Sequence, residues 1–560
     1  MNQIRNLLFV AWIAVAFLLW QAWSSEHAVP ASATAATTAQ PSGNLGTTAS
    51  ANPAIPTATV PTAPATATPA AASGTGTTPR GPVIRLRSDV LALELDGRDV
   101  VRADLLRFPQ TRDPKSAPVV LLDPVPATFF EASAAWVSAG GGALVFQPKG
   151  DARSFALAPG QQRVSASFVA GSPSGLRIER TVTLERGSYA LRIRDEVVNA
   201  GSASWTGDIQ RTLVRVPPVT KRSFFNPETI SLNGAAWYSP EDKYQKRRYP
   251  DFVEDGPLNQ AVTGGWIGLS QHYFLAAWVP QPDQGALFSL AERGAQYQVD
   301  ATGPRVTLAP GQRFESASTL WLGPKDAHLL DAVAPGLGLS LDYGIFTVFA
   351  KPIHWLLTQL HKLTGNWGWA IVLLVFLIKL LLYPLSAKQY QSMAKMRKFQ
   401  PRIAQLKERY GDDKQKFQLA MMDLYKREKV NPAGGCLPLL IQMPIFLALY
   451  YVLIEAIELR HAPWIMGWIS DLTAPDPYFI LPILNGVVMF LTQKMTPTAG
   501  MDPMQAKMMQ AMPIVMAVMF ALFPAGLVLY WVTNGALGMV QQWMNLKRFE
   551  DPPGQAPTVR

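Results

Sequence analysis

The stretch NWGWAIVLLVFLIKLLLYPL, from Asn366 to Leu385, constrains this chain more than any other. About 20 apolar residues at a rise of ~1.5 Å cross a hydrocarbon layer ~30 Å thick, so the run reads as a transmembrane helix. One charge, Lys379, interrupts it. A cation inside such a run is unfavourable by roughly 2.5–3.5 kcal/mol, which marks it as a functional position. No other charged residue shares the run, so Lys379 has no partner there for acid–base chemistry.

Further apolar stretches follow at Leu437–Ile454, Tyr478–Leu491 and Ala511 to about Val540. The last is too long for one crossing, and Phe523-Pro-Ala-Gly526 breaks it into two. The expected segments are transmembrane helices over 366–386, 433–456, 477–494, 508–523 and 526–545, then a tail over 546–560. Gln442, Asn485, Thr533 and Asn534 interrupt these spans, and Pro438, Pro444, Pro482 and Pro513 lie within them. Together with Lys379 they suit a bundle that encloses water. Of 18 methionines, nine fall between Met489 and Met519. Two readings stay open: an adaptable apolar slide, or plain membrane filler.

Charge sets the orientation. Between Lys388 and Lys429 stand 12 Lys or Arg against five Asp or Glu, whereas the loop Ile457–Asp476 has Arg460 as its one strong base. The basic side belongs in the cytosol. In that segment (387–432) Met396, Phe399, Ile403, Leu406 and Tyr410 recur at helical spacing, as do Phe417, Met421 and Leu424. Gly411-Asp412-Asp413 between them ends one helix and caps the next, which predicts a helical hairpin.

Upstream, Arg5 and the apolar stretch to Trp23 resemble a signal sequence, with Trp20 and Trp23 where small residues would mark cleavage. The expectation is an uncleaved anchor over 4–23; a cleaved signal is the alternative. Residues 28–82 are Ala, Thr, Pro, Ser and Gly, a composition that cannot offset its ordering entropy and reads as a tether. From 83 to 325, period-two runs such as Leu176–Leu184 and Tyr189–Arg194 flank turns, which predicts a periplasmic antiparallel β-sandwich. Trp205, Trp237, Trp266 and Trp278 read as its core, with the lining of a ligand groove as the alternative. KYQKRRY (243–249) reads as a solvated loop. Residues 338–363 carry Phe346, Phe349, Ile353, Leu356, Leu357 and Leu360 at helical spacing, broken by Lys351, His354, His361 and Lys362. That suits a helix lying in the membrane interface, or one packed on the sandwich.

The fold class is thus a multi-span α-helical membrane protein with six transmembrane helices, plus a periplasmic β-sandwich. The net charge of +10 fits an anionic lipid surface or nucleic acid. The lone Cys436 rules out an internal disulfide. The chain lacks a Walker A pattern and an HExxH pair, and no cofactor or metal is expected. A secondary transporter would need paired intramembrane charges and usually a repeat. A sugar-binding or sugar-processing enzyme in the sandwich is a further alternative.

Several contiguous motifs carry a resemblance. QYQSMAKMRKFQPRI, YGDDKQKF, VNPAGGCLPLLIQMPIFLALYYVL, DPYFILPIL, FPAGLVLYW and GGWIGLSQHYFLAAWVP resemble the bacterial YidC/Oxa/Alb family of membrane protein insertases, in its Gram-negative branch. The resemblance covers nearly the whole chain except the tether. It implies a five-helix insertase core whose groove opens to cytosol and lipid, with Lys379 as its positive charge. Lys379 stands where the family commonly has arginine, and lysine lacks arginine's planar fork. Snorkelling toward the interface is its other reading. The implied groove and slide take in Gln442, Met443, Pro444, Phe446, Asn485, Met489, Met516, Met519, Tyr530, Trp531 and Asn534. Client or ribosome docking falls to Lys395, Arg397, Lys398, Arg402, Lys407, Arg409, Asp412 and Asp413. Nascent inner-membrane proteins, the Sec translocon with its accessory subunits, the ribosome and anionic lipid are the implied partners.

Overall fold

The computed structural model describes residues 80–113, 115–138, 144–218, 231–410, 413–428, 437–495 and 503–549. The anchor over 4–23, almost all of the tether, most of the tail and Asp412 lie outside the described residues.

Residues 80–324 form two facing sheets. Alternation of apolar and polar residues buries one side of each strand, as in Leu176–Glu185, where Leu176, Ile178, Val182 and Leu184 face inward. Among the described residues one sheet has eleven strands. Its main path runs Asn259–Thr263, Gly285–Arg293, Gln296–Thr302, Trp205–Arg215, Phe130–Ser138, Asp99–Pro109, Leu91–Leu95, Ile84–Arg87, Ser154–Ala156. The other has nine: Lys243–Arg248, Gly234–Ser239, Trp266–Ser270, Phe274–Pro280, Arg313–Pro324, Ala190–Asn199, Leu176–Glu185, Arg163–Gly171, Gln147–Pro148. Trp237, Trp266 and Trp278 are buried between them, and Trp205 packs at the margin.

Arg180 and Asp195 occupy inward positions directly opposite each other on neighbouring strands. Nε of Arg180 donates to Asp195 Oδ1 at 2.7 Å and Nη2 to Oδ2 at 2.6 Å. Its Nη1 donates across the core to the carbonyls of Gly97 and Ala134, and Trp136 Nε1 donates to Asp195 Oδ2 at 2.8 Å. The two sheets therefore share one fully satisfied buried ion pair.

KYQKRRY is not a solvated loop: Lys243–Arg248 is the edge strand of the nine-stranded sheet, paired with Gly234–Ser239. Its alternation was hidden because the exposed positions are Lys243, Gln245 and Lys246 and one inward position is a tyrosine, Tyr244, lying beside Trp266. Charge along an exposed edge discourages pairing with a foreign strand.

The described residues between 347 and 549 are mostly helical. Thr347–Thr364 buries Ala350, Ile353, Leu357 and Leu360 and ends at Gly365, whose φ of 65° is the left-handed cap that favours glycine. It packs on Trp367–Leu381 and Leu437–Glu455 rather than in the sandwich core, and leaves Val348, Phe349 and Trp355 exposed. Asn366 caps Trp367–Leu381 by accepting from the Trp369 N–H at 3.1 Å, while its Nδ2 donates to the carbonyls of Pro463 and Trp464. Beyond Leu381 the chain bends by 62° into Tyr383–Lys398. Gln400–Tyr410 and Lys414–Arg427 form a hairpin, the second helix capped by Asp413, which accepts from the Lys416 N–H at 3.0 Å. Ile480–Lys494, Pro503–Phe520 and Ala525–Phe549 complete the helices, the last two separated by the Pro/Gly break.

Among the described residues no single helix is long and apolar enough to cross a membrane. The bent pair Trp367–Leu381 with Tyr383–Gln391 passes by length and composition, and Gln442–Glu455, Ile480–Lys494 and Lys507–Phe520 are shorter apolar helices. A 15-residue helix is only ~22 Å long.

Candidate functional site

Four helices converge on Lys379. It lies in the last turn of Trp367–Leu381, and its half-buried side chain lines a cavity of about 420 Å³. Tyr390, from the helix beyond the bend, reaches across the same space and donates to the Gly538 carbonyl at 3.1 Å. Ile480–Lys494 contributes Asn485, Val488, Met489, Thr492 and Gln493, and Ala525–Phe549 contributes Trp531, Asn534, Gly535 and Gly538. Met509, Met512 and Pro513 close the remaining side.

Spacing explains the lining. Trp531, Asn534, Gly535 and Gly538 recur at three and four, so one face of the terminal helix meets the lysine. Gly538 keeps that face shallow: a β-carbon there would stand 3.5 Å from Lys379 Nζ. Asn485 is buried, and its Nδ2 lies 3.6 Å from Met489 Sδ. Gln541 donates to the Lys379 carbonyl at 3.4 Å, tying the terminal helix to the bend. Among the described residues Lys379 makes no ion pair. The result is a cavity with one cation and several amides and hydroxyls among methionines, and no nucleophile–base pair.

The residues expected at the groove divide into groups. Lys379, Asn485, Met489, Trp531 and Asn534 line the cavity together. Gln442 does not reach it; its Nε2 donates to the Tyr530 hydroxyl at 3.0 Å. Phe446 packs 4.8 Å from Trp531 and 5.9 Å from Tyr530, and Met516 and Met519 lean on the same helical core. Met443 is exposed, and Pro444 stands inside its helix. Of the basic hairpin, Arg402 pairs with Glu428 at 2.7 Å, and Lys407 and Arg409 lie in the last turn of Gln400–Tyr410. Asp413 is occupied as a cap. The side chains of Lys395, Arg397 and Lys398 lie outside the described residues. Sequence reasoning missed Tyr390, Thr492, Gln493 and the two glycines; the i, i+3, i+4 row from Trp531 to Gly538 was the available signal.

Comparison with known proteins agrees with both halves. Residues 83–356 match the family profile described as the YidC periplasmic domain, and residues 359–552 match that of the 60Kd inner membrane protein. The membrane protein insertase YidC of Stenotrophomonas maltophilia is 52% identical over 568 residues, covering 100% of this chain and 99% of its own length. That of Xanthomonas euvesicatoria pv. vesicatoria is 50% identical over 569 residues, covering 99% of each. A crystal structure of an active YidC insertase with its first transmembrane domain resolved aligns with 82% of this chain and 94% of its own, at 18% identity and a TM-score of 0.36. A β-rich periplasmic domain followed by a helical inner-membrane part is thus the class. The chain belongs to the YidC family of membrane protein insertases. The function for which these relatives are named is not enzymatic.

Proposed function

We propose that this chain inserts proteins into the bacterial inner membrane through the cavity around Lys379. The observation that carries this reading is a cation without an acidic partner among the described residues, set in a polar cavity between apolar helices. A hydrated positive charge lowers the cost of bringing an acidic or polar client tail partway across the apolar layer. The client's own apolar helix then leaves sideways into lipid past Met489, Met509 and Met512. Burial of that helix in lipid supplies the driving force at ~25 cal/mol per Å² of apolar surface, so no nucleotide is consumed.

In this reading the chain crosses the membrane six times with both termini cytoplasmic. Short helices such as Ile480–Lys494 then sit in a locally thinned bilayer. The hairpin receives the nascent client or ribosome, anionic lipid meets its basic surface, and the Sec translocon with its accessory subunits is approached from the sandwich and first helix.

The test is insertion of a short single-span client into liposomes containing only this protein. Wild type and Lys379→Arg should protect the client from protease, Lys379→Ala should protect less, and Lys379→Glu should abolish protection. Equal protection by all four would reduce Lys379 to a snorkelling residue and remove the charged-cavity mechanism.

A further inference from the structure

A second cavity, of about 240 Å³, lies between the sandwich and the helices, well apart from Lys379. Lys246 and Arg248 of the edge strand line it, with Asp251, Asp342, Gly344 and Tyr451. Lys246 is ion-paired with Asp342, whose Oδ1 also accepts from the Gly344 N–H at 2.9 Å. Among the described residues Arg248 and Asp251 form no ion pair. Two cations and two carboxylates thus face one space, with a free member of each sign.

An exposed apolar surface adjoins this cavity at Gly344 and Tyr451. Tyr451, one turn from the end of Leu437–Glu455, stacks on Phe346 with ring centroids 6.1 Å apart. The residue after Gly344 is Ile345, 89% exposed, and Val348 at 79% and Phe349 continue the same outward surface. Large apolar side chains left this open need a covering. A charged cavity adjoining such a surface has the layout of a lipid headgroup next to its acyl chains.

We infer that this cavity holds the headgroup of a zwitterionic phospholipid of the phosphatidylethanolamine type. The phosphate is placed on Arg248, whose fork suits two phosphate oxygens, and the ammonium on Asp251 and Asp342. The acyl chains descend along Ile345, Val348 and Phe349. An anionic headgroup lacking the ammonium would leave Asp251, the carboxylate without an ion pair among the described residues, facing negative charge, which selects against it. This inference rests on the membrane-embedded reading of the helices, but binding is measured without insertion, so each can fail alone.

The experiment is native mass spectrometry of the delipidated full chain, titrated separately with palmitoyl-oleoyl phosphatidylethanolamine and with the matching phosphatidylglycerol. Wild type should retain one phosphatidylethanolamine several-fold more tightly than phosphatidylglycerol. Arg248→Gln should weaken retention of that lipid about tenfold, while Arg248→Lys keeps most of it. Asp251→Asn should weaken phosphatidylethanolamine and strengthen phosphatidylglycerol, narrowing the gap between them. Unchanged phosphatidylethanolamine retention in both Arg248→Gln and Asp251→Asn, with wild-type melting profiles, overturns the proposal. So does equal retention of the two lipids by wild type. Displacement of the lipid by inorganic phosphate at equal concentration would make the site one for free anions and overturn it as well.

Discussion

Lys325 Nζ lies 2.7 Å from Glu455 Oε2, and both side chains are almost completely buried. Lys325 follows directly on the last long strand of the sandwich, and Glu455 is the final residue of Leu437–Glu455. Ser231 Oγ donates to the other carboxylate oxygen at 2.5 Å, and the Lys325 N–H donates to the Tyr273 carbonyl at 2.8 Å. Ile457, just beyond, is a member of the sandwich core. The sandwich is therefore seated on the end of a helix through a buried ion pair, not merely linked to it by chain.

Removing one partner should be far worse than removing both. Lys325→Met or Glu455→Gln leaves a buried charge or its hydrogen-bond partners unmatched, which costs roughly 3–5 kcal/mol. The double variant with Met at both positions should recover most of that loss. Thermal unfolding of the full chain in detergent, read by tryptophan fluorescence, should show the first transition falling on the order of 10 °C in the single variants. Equal falls in all three variants would mean that packing, not charge pairing, holds the junction.

The same junction should loosen in acid. His272 Nε2 lies 3.0 Å from the Ile454 carbonyl, and burial, with Lys325 nearby, pushes its imidazole down to about 3. The unfolded value is about 6.5, so between those limits the unfolded state binds the extra proton. The contribution of this group to stability is present above pH ~6.5 and is lost as pH falls toward 3. Hydrogen-exchange protection around 272–275 and 454–457, taken relative to the intrinsic rate at each pH, should fall between pH 6.5 and 4, and His272→Gln should flatten that dependence. An identical pH profile in His272→Gln would assign the acid sensitivity elsewhere.

Much of the sandwich was legible because period-two alternation survives in single strands such as Leu176–Glu185. The Lys243–Arg248 strand was not, since three of its six residues that carry charge or an amide point to solvent and mimic a loop. In the cavity, Lys379 announced itself by interrupting an apolar run, whereas Tyr390 and Gly538 meet it because of a 62° bend, for which Pro384 is a local sign that names neither partner. Gln442 carried the same polar-in-apolar signal as Asn485, yet turns to Tyr530 instead. The Lys325–Glu455 pair is 130 residues apart in the chain, and neither residue stands out from its neighbours by spacing.

Cavity volume can be tested without touching the charge. At Gly538 a β-carbon makes ordinary contact with Lys379 Nζ, so Gly538→Ala should keep insertion within about twofold of wild type. Gly538→Leu places three more carbons into the space and should cut client crosslinking to Lys379-adjacent positions at least fivefold while the melting profile moves little. Full insertion by Gly538→Leu would show that clients do not occupy this volume.

Asn366 joins a helix start to the loop above it through three hydrogen bonds. Asn366→Ala should cost ~1 kcal/mol for the cap alone. Asn366→Asp keeps the acceptor but loses both donations to the Pro463 and Trp464 carbonyls. Hydrogen exchange should separate them: amides at 367–369 speed up only in Ala, while amides over 464–470 speed up in both. Loop protection retained in Asp would assign the hold on the loop to Gly368, which lies against Trp464.

The ending of Trp367–Leu381 two residues after Lys379 also bears on how a lone cation persists there. The last turn of a helix exposes carbonyls that together act as roughly half a negative charge. In the proposed reading this helix end supplies Lys379 with a diffuse counter-charge, and among the described residues no carboxylate pairs with it. A longer helix would move that negative end away and leave the lysine in need of a partner. In the proposed reading the bend is thus an electrostatic feature as well as a steric one: it sets the lysine at the negative end of its own helix.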